Sequence, residues 1–291
     1  MKRRKFTALG TLSAIAFSTT GFVSFDGESY VGDCKTTTDI LGPFYRPDSP
    51  MRDNLVIDGM PGELVELVGS VLHKDCTTPH KEAKVELWHC SADEVYDNDT
   101  DEFRYRGTTM VNEKGEYRFL TQMPVPYDAG GGNYRPAHFH LMISAPGYQS
   151  LVTQLYFTGD PWIDKDVSST SPSAKGRILE VKDGKEGKKI VYYDIVMADK
   201  PLLEANSIDQ LVGTYSFGKG RRKMTFSRKN GRLWMRNEIY GYNLTYIGKN
   251  TFHLSGFGDD GTTFKFKIQK DGKIKLTTSS VRGTNVAWKE V

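Results

Sequence analysis

The chain has 291 residues, of which 38% are hydrophobic and 26% are charged, so it is long enough for one large or two modest globular domains. Its formal net charge of +3 is too small to indicate a nucleic-acid-binding protein. Beyond the amino terminus, no stretch is long and apolar enough to predict stable insertion in a membrane.

Residues 1–25 have the layout of an export signal. A basic start, residues 2–5, precedes a weakly apolar run rich in Ala, Gly, Ser and Thr. Arg3 and Arg4 resemble a bacterial twin-arginine signal, which predicts a folded protein exported to the periplasm or the medium. A transmembrane anchor is the alternative. Residues 7–25, however, are interrupted by Thr and Ser and are barely long enough to span a bilayer.

Cys34, Cys76 and Cys90 are the three cysteines of the chain. An oxidising compartment would permit one disulfide bond and leave one free thiol. Cys76 and Cys90 are poor partners, because a turn followed by an extended strand would separate them by roughly 20 Å. A bridge would therefore include Cys34, and its partner is left open. The absence of a C-x-x-C spacing argues against a zinc site.

Residues 26–200 show an all-β pattern, in which short runs rich in Val, Ile, Tyr and Phe alternate with clusters of Gly, Pro, Asn and Asp. This count and spacing predict a β-sandwich. Residues 158–177 are too polar for a strand and predict a long surface loop. Six strands are predicted, at residues 63–73, 84–90, 116–123, 137–144, 150–157 and 188–198.

After a linker at residues 201–209, residues 210–291 predict a second domain that is small, antiparallel and barrel-like. Asn230-Gly231 and Asp271-Gly272 are strong hairpin signals between seven alternating runs. The region holds one histidine, His253, and no cysteine. We expect it to act in packing or as a weak binding face rather than in catalysis.

The segment RPAHFH, residues 135–140, carries two histidines on one predicted strand. Because strand side chains alternate, Phe139 and Leu141 would face the core and His138 and His140 the opposite side. Their Cα atoms would lie about 7 Å apart, which suits two ligands of one metal ion. Imidazole suits zinc, copper, iron and nickel, so the histidines alone do not identify the metal.

Five short motifs occur in order between residues 36 and 198: GPFY at 42–45, Trp88 followed eight residues later by Tyr96, PVPY at 124–127, RPAHFH, and TQLYF at 153–157. With this ordered set the sequence resembles the intradiol ring-cleavage dioxygenases, the family of the catechol and protocatechuate dioxygenases. Each motif is short, but the set in this order is highly specific.

The resemblance implies a mononuclear, non-haem ferric iron bound by Tyr96, Tyr127, His138 and His140. No other cofactor is implied. Phenolate is a hard anionic ligand that favours Fe(III), and a bound metal ion deprotonates tyrosine far below its usual pKa of about 10. The two tyrosines therefore favour ferric iron where the histidines alone left the metal open.

The same resemblance implies an enzyme that uses O2 to cleave a catechol-type ring between its two hydroxylated carbons, giving a cis,cis-muconate-type dicarboxylate. Tyr127 would also accept a substrate proton, and Arg135 would stabilise negative charge on the ring. Gln154 would lie near the substrate and oxygen, and Tyr45 would form part of the pocket wall. The expected partners are a small catecholic substrate and O2.

Two other interpretations are open. One is a non-catalytic β-sandwich that binds carbohydrate or a surface and has a structural or vestigial metal site. The other is a copper or zinc enzyme that uses the same histidines, which leaves the tyrosines unexplained. The sequence does not indicate the physiological catechol, the oligomeric state or the role of the carboxyl-terminal region.

Overall fold

The computed structural model describes residues 23–25, 30–32, 34–197, 203–218, 220, 222–229, 231–236, 242–254, 262–280 and 282–290. The predicted export signal lies outside these residues except for its last three, Val23–Phe25 (β1), which pair with Tyr30–Gly32 (β2). Strands account for most of the regular structure. Between residues 64 and 196 they are Leu64–Leu72 (β3), Lys84–Trp88 (β4), Arg106–Met110 (β5), Glu116–Gln122 (β6), Tyr127–Asp128 (β7), Tyr134–Arg135 (β8), His138–Ser144 (β9), Leu151–Phe157 (β10), Ile178–Leu179 (β11), Lys182–Asp183 (β12), Lys189–Tyr192 (β13) and Ile195–Val196 (β14).

Two sheets built from these strands pack face to face as a β-sandwich, which confirms the predicted fold class. One sheet has the order β11-β10-β9-β4-β5, and the other has the order β12-β13-β3-β14, with β6 also paired to β3. Leu67 and Phe119 of the second sheet are buried in one hydrophobic core with Leu87, Phe139 and Leu141 of the first. The opposite face of the first sheet is the one that carries the two histidines.

The strands depart from the sequence prediction at two places. β5 was not predicted, because its sequence RGTTM is polar although its first three residues are buried. The predicted strand at 188–198 is divided into β13 and β14, both parallel to β3. Asp194 lies in the gap and accepts a hydrogen bond from the Ser70 amide at 2.8 Å, which ties the interruption to β3.

The carboxyl-terminal region is a closed antiparallel barrel of eight strands. The sequence predicted a barrel-like domain with seven strands. The strands are Gly213–Phe217 (β15), Arg222–Lys229 (β16), Arg232–Arg236 (β17), Tyr242–Gly248 (β18), Thr251–Leu254 (β19), Thr263–Ile268 (β20), Ile274–Ser280 (β21) and Gly283–Lys289 (β22). β15 is the additional strand, and it closes the barrel by pairing with both β16 and β22. The α-helix Ala205–Leu211 (α1) begins within the predicted linker, and its Ile208 and Leu211 are buried in the barrel core.

A disulfide bond joins Cys34 to Cys76, with 6.1 Å between the Cα atoms. It supplies the partner of Cys34 that the sequence left open, and the thiol of Cys90 is free and buried. In the part of the chain that the structure describes, no helix has the length and apolar character needed to cross a membrane.

Candidate metal centre

The alternation predicted for RPAHFH is present in β9. Phe139 and Leu141 are in the sandwich core, whereas His138 and His140 project from the opposite face and are each only 1% exposed. The neighbouring strands place Trp88 and Gln154 beside His140, and Tyr156 beside His138. The strand register therefore assembles a row of polar and aromatic side chains around the two imidazoles.

The imidazole nitrogens converge on one point. His138 Nδ1 lies 2.6 Å from the Pro136 carbonyl oxygen and donates to it, so the Nε2 lone pair is available for a metal. The Nε2 atoms of His138 and His140 lie 3.1 Å apart. Two nitrogens bound to one transition-metal ion at right angles, each at about 2.1 Å, would lie about 3.0 Å apart. This nitrogen–nitrogen distance fits two ligands of a single ion.

Two segments pack closely against the ring of His140. Trp88 stacks on it, with ring centroids 4.9 Å apart and 8° between the planes. On the GPFY segment, a Cβ added to Gly42 would come within 3.2 Å of His140 Cε1, and the φ of Gly42 is 74°. A glycine at this position allows the segment to approach the ring and to adopt the left-handed backbone conformation.

Two tyrosines complete the cluster. Tyr96 Oη lies 3.4 Å from His138 Nε2, and Tyr127 packs against Tyr96. Their rings meet edge to face, with centroids 5.4 Å apart, and Phe44 stacks on Tyr96 at 4.3 Å. Both tyrosines are about as buried as the histidines, at 6% and 5% exposed. The structure thus brings all four predicted ligands together.

Short hydrogen-bonded turns place the two tyrosines. After β4, the Ser91 hydroxyl accepts hydrogen bonds from the amides of Asp93 and Val95, and this tight turn directs Tyr96 back over the sheet. Tyr127 begins β7 and is paired directly with Arg135 of β8. The turn between them contains three glycines with positive φ, at positions 130–132, and its amides are held by the Asp128 carboxylate.

Burial keeps the four groups neutral until a cation binds. It lowers the pKa of His138 and of His140 well below the usual value, and nearby Arg135 adds to the effect. Burial likewise raises the pKa of Tyr96 well above 10 and raises that of Tyr127, which Arg135 partly offsets. Neutral imidazoles are ready to bind a metal ion, and a trivalent cation would stabilise the phenolates.

The chemistry of the donors fits ferric iron. In the described residues no group of three or more His, Cys, Asp and Glu side chains could hold a metal ion. Tyr96 and Tyr127 are therefore the side chains beside His138 and His140 that could join them as ligands of a metal. Hard phenolate oxygens combined with imidazole suit Fe(III), and the 2-His-1-carboxylate arrangement of Fe(II) oxygenases has no counterpart at this cluster.

Arg135 lies beside the cluster in a buried polar network. Its guanidinium donates to Asp166 at 2.9 Å, to Gln154 Oε1 at 2.9 Å and to the Tyr156 hydroxyl at 3.2 Å. Gln154 is fixed in turn, because its Nε2 donates to the Ile40 carbonyl at 2.7 Å. Burial lowers the pKa of Arg135, but interactions with Tyr156, Asp166 and Tyr127 outweigh burial and raise the pKa above its usual value, so the guanidinium stays charged.

Sequence reasoning did not single out Tyr156 or Asp166. Tyr156 stands two residues after Gln154 in TQLYF, so strand alternation on the histidine-bearing sheet could have placed both on one face. Asp166 lies in the polar segment predicted as a surface loop. That segment instead folds inward, with Asp166 and Arg177 buried and with a 3₁₀ helix at Pro172–Arg177. Its composition gives no sign of this burial.

Tyr45 is separated from His140 by the ring of Trp88. Its ring packs against Trp88, with centroids 5.1 Å apart, and its hydroxyl donates to Glu86 at 3.2 Å. Burial and the Glu86 carboxylate both raise the pKa of Tyr45. Tyr45 also lines a pocket that extends away from the metal cluster toward the barrel.

A family model described as Dioxygenase matches residues 40–199 of the chain, more than half of its length. The chain belongs to the intradiol ring-cleavage dioxygenase family. The match contains all four candidate ligands and Arg135, and it ends before the barrel.

Curated relatives agree with this membership. The chain is 34% identical to a catechol 1,2-dioxygenase of Candida albicans over 45% of its own length and 50% of that protein. It is 34% identical to a chlorocatechol 1,2-dioxygenase of Cupriavidus pinatubonensis, over 45% of this chain and 58% of the relative. The chain thus spans about half the length of the curated relatives that it matches.

A solved structure extends the comparison. The dioxygenase domain of a dioxygenase–carbohydrate-binding protein fusion from the cellulolytic bacterium Streptomyces sp. SirexAA-E is 27% identical, with a TM-score of 0.50. The similarity covers 98% of that domain and 56% of this chain. In length, the similar part corresponds to a complete dioxygenase domain.

Proposed function

We propose that the protein is a non-haem Fe(III) intradiol dioxygenase that cleaves a catechol-type ring between its two hydroxylated carbons. One buried cluster carries this proposal: the two imidazole Nε2 atoms lie 3.1 Å apart, the Tyr96 hydroxyl lies 3.4 Å from His138 Nε2, and the Tyr127 ring packs against Tyr96 and His138. Tyr96, Tyr127, His138 and His140 would hold the iron. When bound, the iron would supply a Lewis acid that binds the catechol oxygens and promotes the reaction of the ring with O2.

The residues of the chain would control charge and protons. Tyr127, the tyrosine paired with Arg135 in the β7–β8 hairpin, would accept a substrate hydroxyl proton at its Oη. Arg135 would hold its positive charge beside the ring as negative charge develops. Gln154 and Tyr156 each contact the Arg135 guanidinium and would hold it in position.

The direct test uses the full chain loaded with ferric iron. We expect one iron per chain and a visible absorption band from tyrosinate bound to Fe(III), which gives a burgundy-red protein. Oxygen uptake with catechol, hydroxyquinol and protocatechuate would identify the accepted ring. A colourless protein after iron loading, or a Tyr127→Phe variant with an unchanged spectrum, would contradict the ligand assignment.

We also propose that the protein is exported, on the basis of the twin-arginine-like residues 1–25. Fusing these residues to a reporter that is active only outside the cytoplasm should give reporter activity. Changing Arg3 and Arg4 to lysine should abolish this activity if the twin-arginine route is used. Reporter activity that does not depend on the two arginines would contradict the assignment of that route.

A further inference from the structure

A pocket of about 540 Å³ lies where the barrel meets the sandwich. The sandwich contributes the GPFY segment with Tyr45, and Glu86 and Met142 from the histidine-bearing sheet face. The barrel contributes Arg232 and Trp234, both from β17. Two parts of the fold thus line one space, and Trp88 packs between Tyr45 of this lining and His140. We call this space the junction pocket.

Arg232 is a partly buried cation whose donors are largely unused. Its guanidinium donates to the Ser150 carbonyl, and in the described part of the chain no carboxylate lies within ion-pair distance of it. Burial lowers its pKa to about 10, although Tyr45 and Glu86 oppose the shift. A guanidinium has five N–H donors in a planar fork, which matches the two oxygens of a carboxylate.

Glu86, the nearest acidic group of the lining, is already occupied. Its carboxylate accepts a hydrogen bond from the Tyr45 hydroxyl at 3.2 Å and lies 2.9 Å from Lys84 Nζ. The charge of Glu86 is therefore shared with Lys84, and no carboxylate of the described residues forms an ion pair with Arg232. An anionic ligand in the junction pocket would supply a counter-ion.

Aromatic and apolar groups form part of the remaining wall, together with Asp48, Lys84 and four Ser and Thr residues. Trp234 and Tyr45 pack beside Met142 and Leu41 in one apolar cluster. The Trp234 indole N–H donates to the Lys229 carbonyl at 2.9 Å, which fixes the ring. A pocket of this volume, with aromatic groups in its wall and with Arg232 as the lining cation that has no ion pair among the described residues, suits a small planar molecule with an acidic group.

We propose that the junction pocket binds a small aromatic carboxylate, with its ring against Tyr45 and Trp234 and its carboxylate paired with Arg232. The barrel would then contribute directly to ligand binding beside the sheet face that carries His138 and His140. This site is distinct from the metal cluster, and the inference does not depend on ring-cleavage activity.

The test measures benzoate binding to the purified full chain by isothermal titration calorimetry. We expect one site per chain and at least 10-fold weaker binding to the Arg232→Gln variant. Benzamide, which has the same ring without the charge, should also bind at least 10-fold more weakly. Arg282→Gln is the matched control, since Arg282 is an exposed arginine of the same barrel, and it should bind benzoate as the wild type does.

A second variant keeps the test decisive if Arg232→Gln does not fold. Glu86→Gln removes the negative charge nearest to the guanidinium, so benzoate should bind several-fold more tightly. Circular dichroism would establish that each variant is folded. The proposal is overturned if wild-type protein does not bind benzoate, if a folded Arg232→Gln variant binds it equally well, or if Glu86→Gln fails to tighten binding.

Discussion

The indole of Trp88 lies parallel to the imidazole of His140, with 4.9 Å between the ring centroids. Adjacent strands set this contact, because Trp88 of β4 and His140 of β9 are paired in register. The indole leaves one edge of the imidazole free, and that edge carries the Nε2 atom facing His138. Trp88 thus orients a candidate ligand without being one.

Replacing Trp88 with leucine should therefore lower iron affinity by about 10- to 100-fold, the usual cost of losing a group that orients a ligand. Iron affinity would be measured by competition with a chelator, with the tyrosinate absorption band as the signal. Trp88→Phe keeps an aromatic face and should retain most of the affinity. Equal iron affinity in a folded Trp88→Leu variant would show that the stacking does not position His140.

Arg135 and Asp166 should differ in their effect on turnover. Arg135→Gln removes the cation beside the ring and should reduce kcat by about 100-fold. Asp166→Asn keeps Arg135 but weakens the ion pair that orients it, so kcat should fall less and KM should change little. Steady-state oxygen uptake would give both constants.

The absorption spectrum provides the control, since neither Arg135 nor Asp166 is a candidate iron ligand. Iron content and the tyrosinate band should be retained in both variants. A kcat in Asp166→Asn as low as that of Arg135→Gln would contradict a purely positioning role for Asp166.

Strand alternation was sufficient to predict that His138 and His140 lie side by side, but not that the tyrosines join them. His138 and His140 share a face because a strand has a period of two, and that follows from sequence alone. The meeting of Tyr96 and Tyr127 depends on two turns and on contacts between distant segments, so only the resemblance to a family indicated it. Neither strand alternation nor the resemblance to a family indicated Asp166, because a polar loop has no sequence pattern that reveals burial.

Strands whose hydrophobic residues alternate were predicted. Strands that form only because they pair with a neighbouring strand were missed. β5 is polar and becomes a strand through its pairing with β4. β15 precedes the first strand that was predicted for the barrel. It is needed to close the barrel, and closure depends on all eight strands together. The helix α1 is amphipathic over only seven residues, which is too short for a clear periodic signal.

His89 should make stability depend on pH. It is fully buried, lying 2.7 Å from the Cys90 carbonyl and 2.8 Å from the Thr121 hydroxyl, and burial lowers its pKa to about 4. Below the unfolded pKa of about 6.5 the unfolded chain takes up a proton that the folded chain does not. The contribution of His89 to the free energy of unfolding is therefore complete above a pH of about 6.5. It should fall by about 3 kcal/mol as the pH drops to 4.

Urea unfolding of wild type and His89→Gln between pH 7.5 and 4 would measure this contribution. The variant should be less stable than wild type at neutral pH, and the difference should shrink as the pH falls. Other buried histidines titrate in both proteins and cancel in the comparison. A difference in unfolding free energy that stays constant across this range would contradict the assignment to His89.

Gly69 in β3 is a position where only glycine fits. A Cβ there would lie 1.8 Å from the Tyr193 carbonyl oxygen, a backbone atom that the Tyr117 hydroxyl also holds at 2.7 Å. Because the Tyr193 backbone cannot move away freely, Gly69→Ala should destabilise the protein by about 3 kcal/mol or more. The matched control is Gly176→Ala, where no atom lies within 4 Å of the new Cβ, and its stability should change by less than about 1 kcal/mol. Urea unfolding would compare them, and equal midpoints would show that the chain around Tyr193 relaxes to accept a side chain.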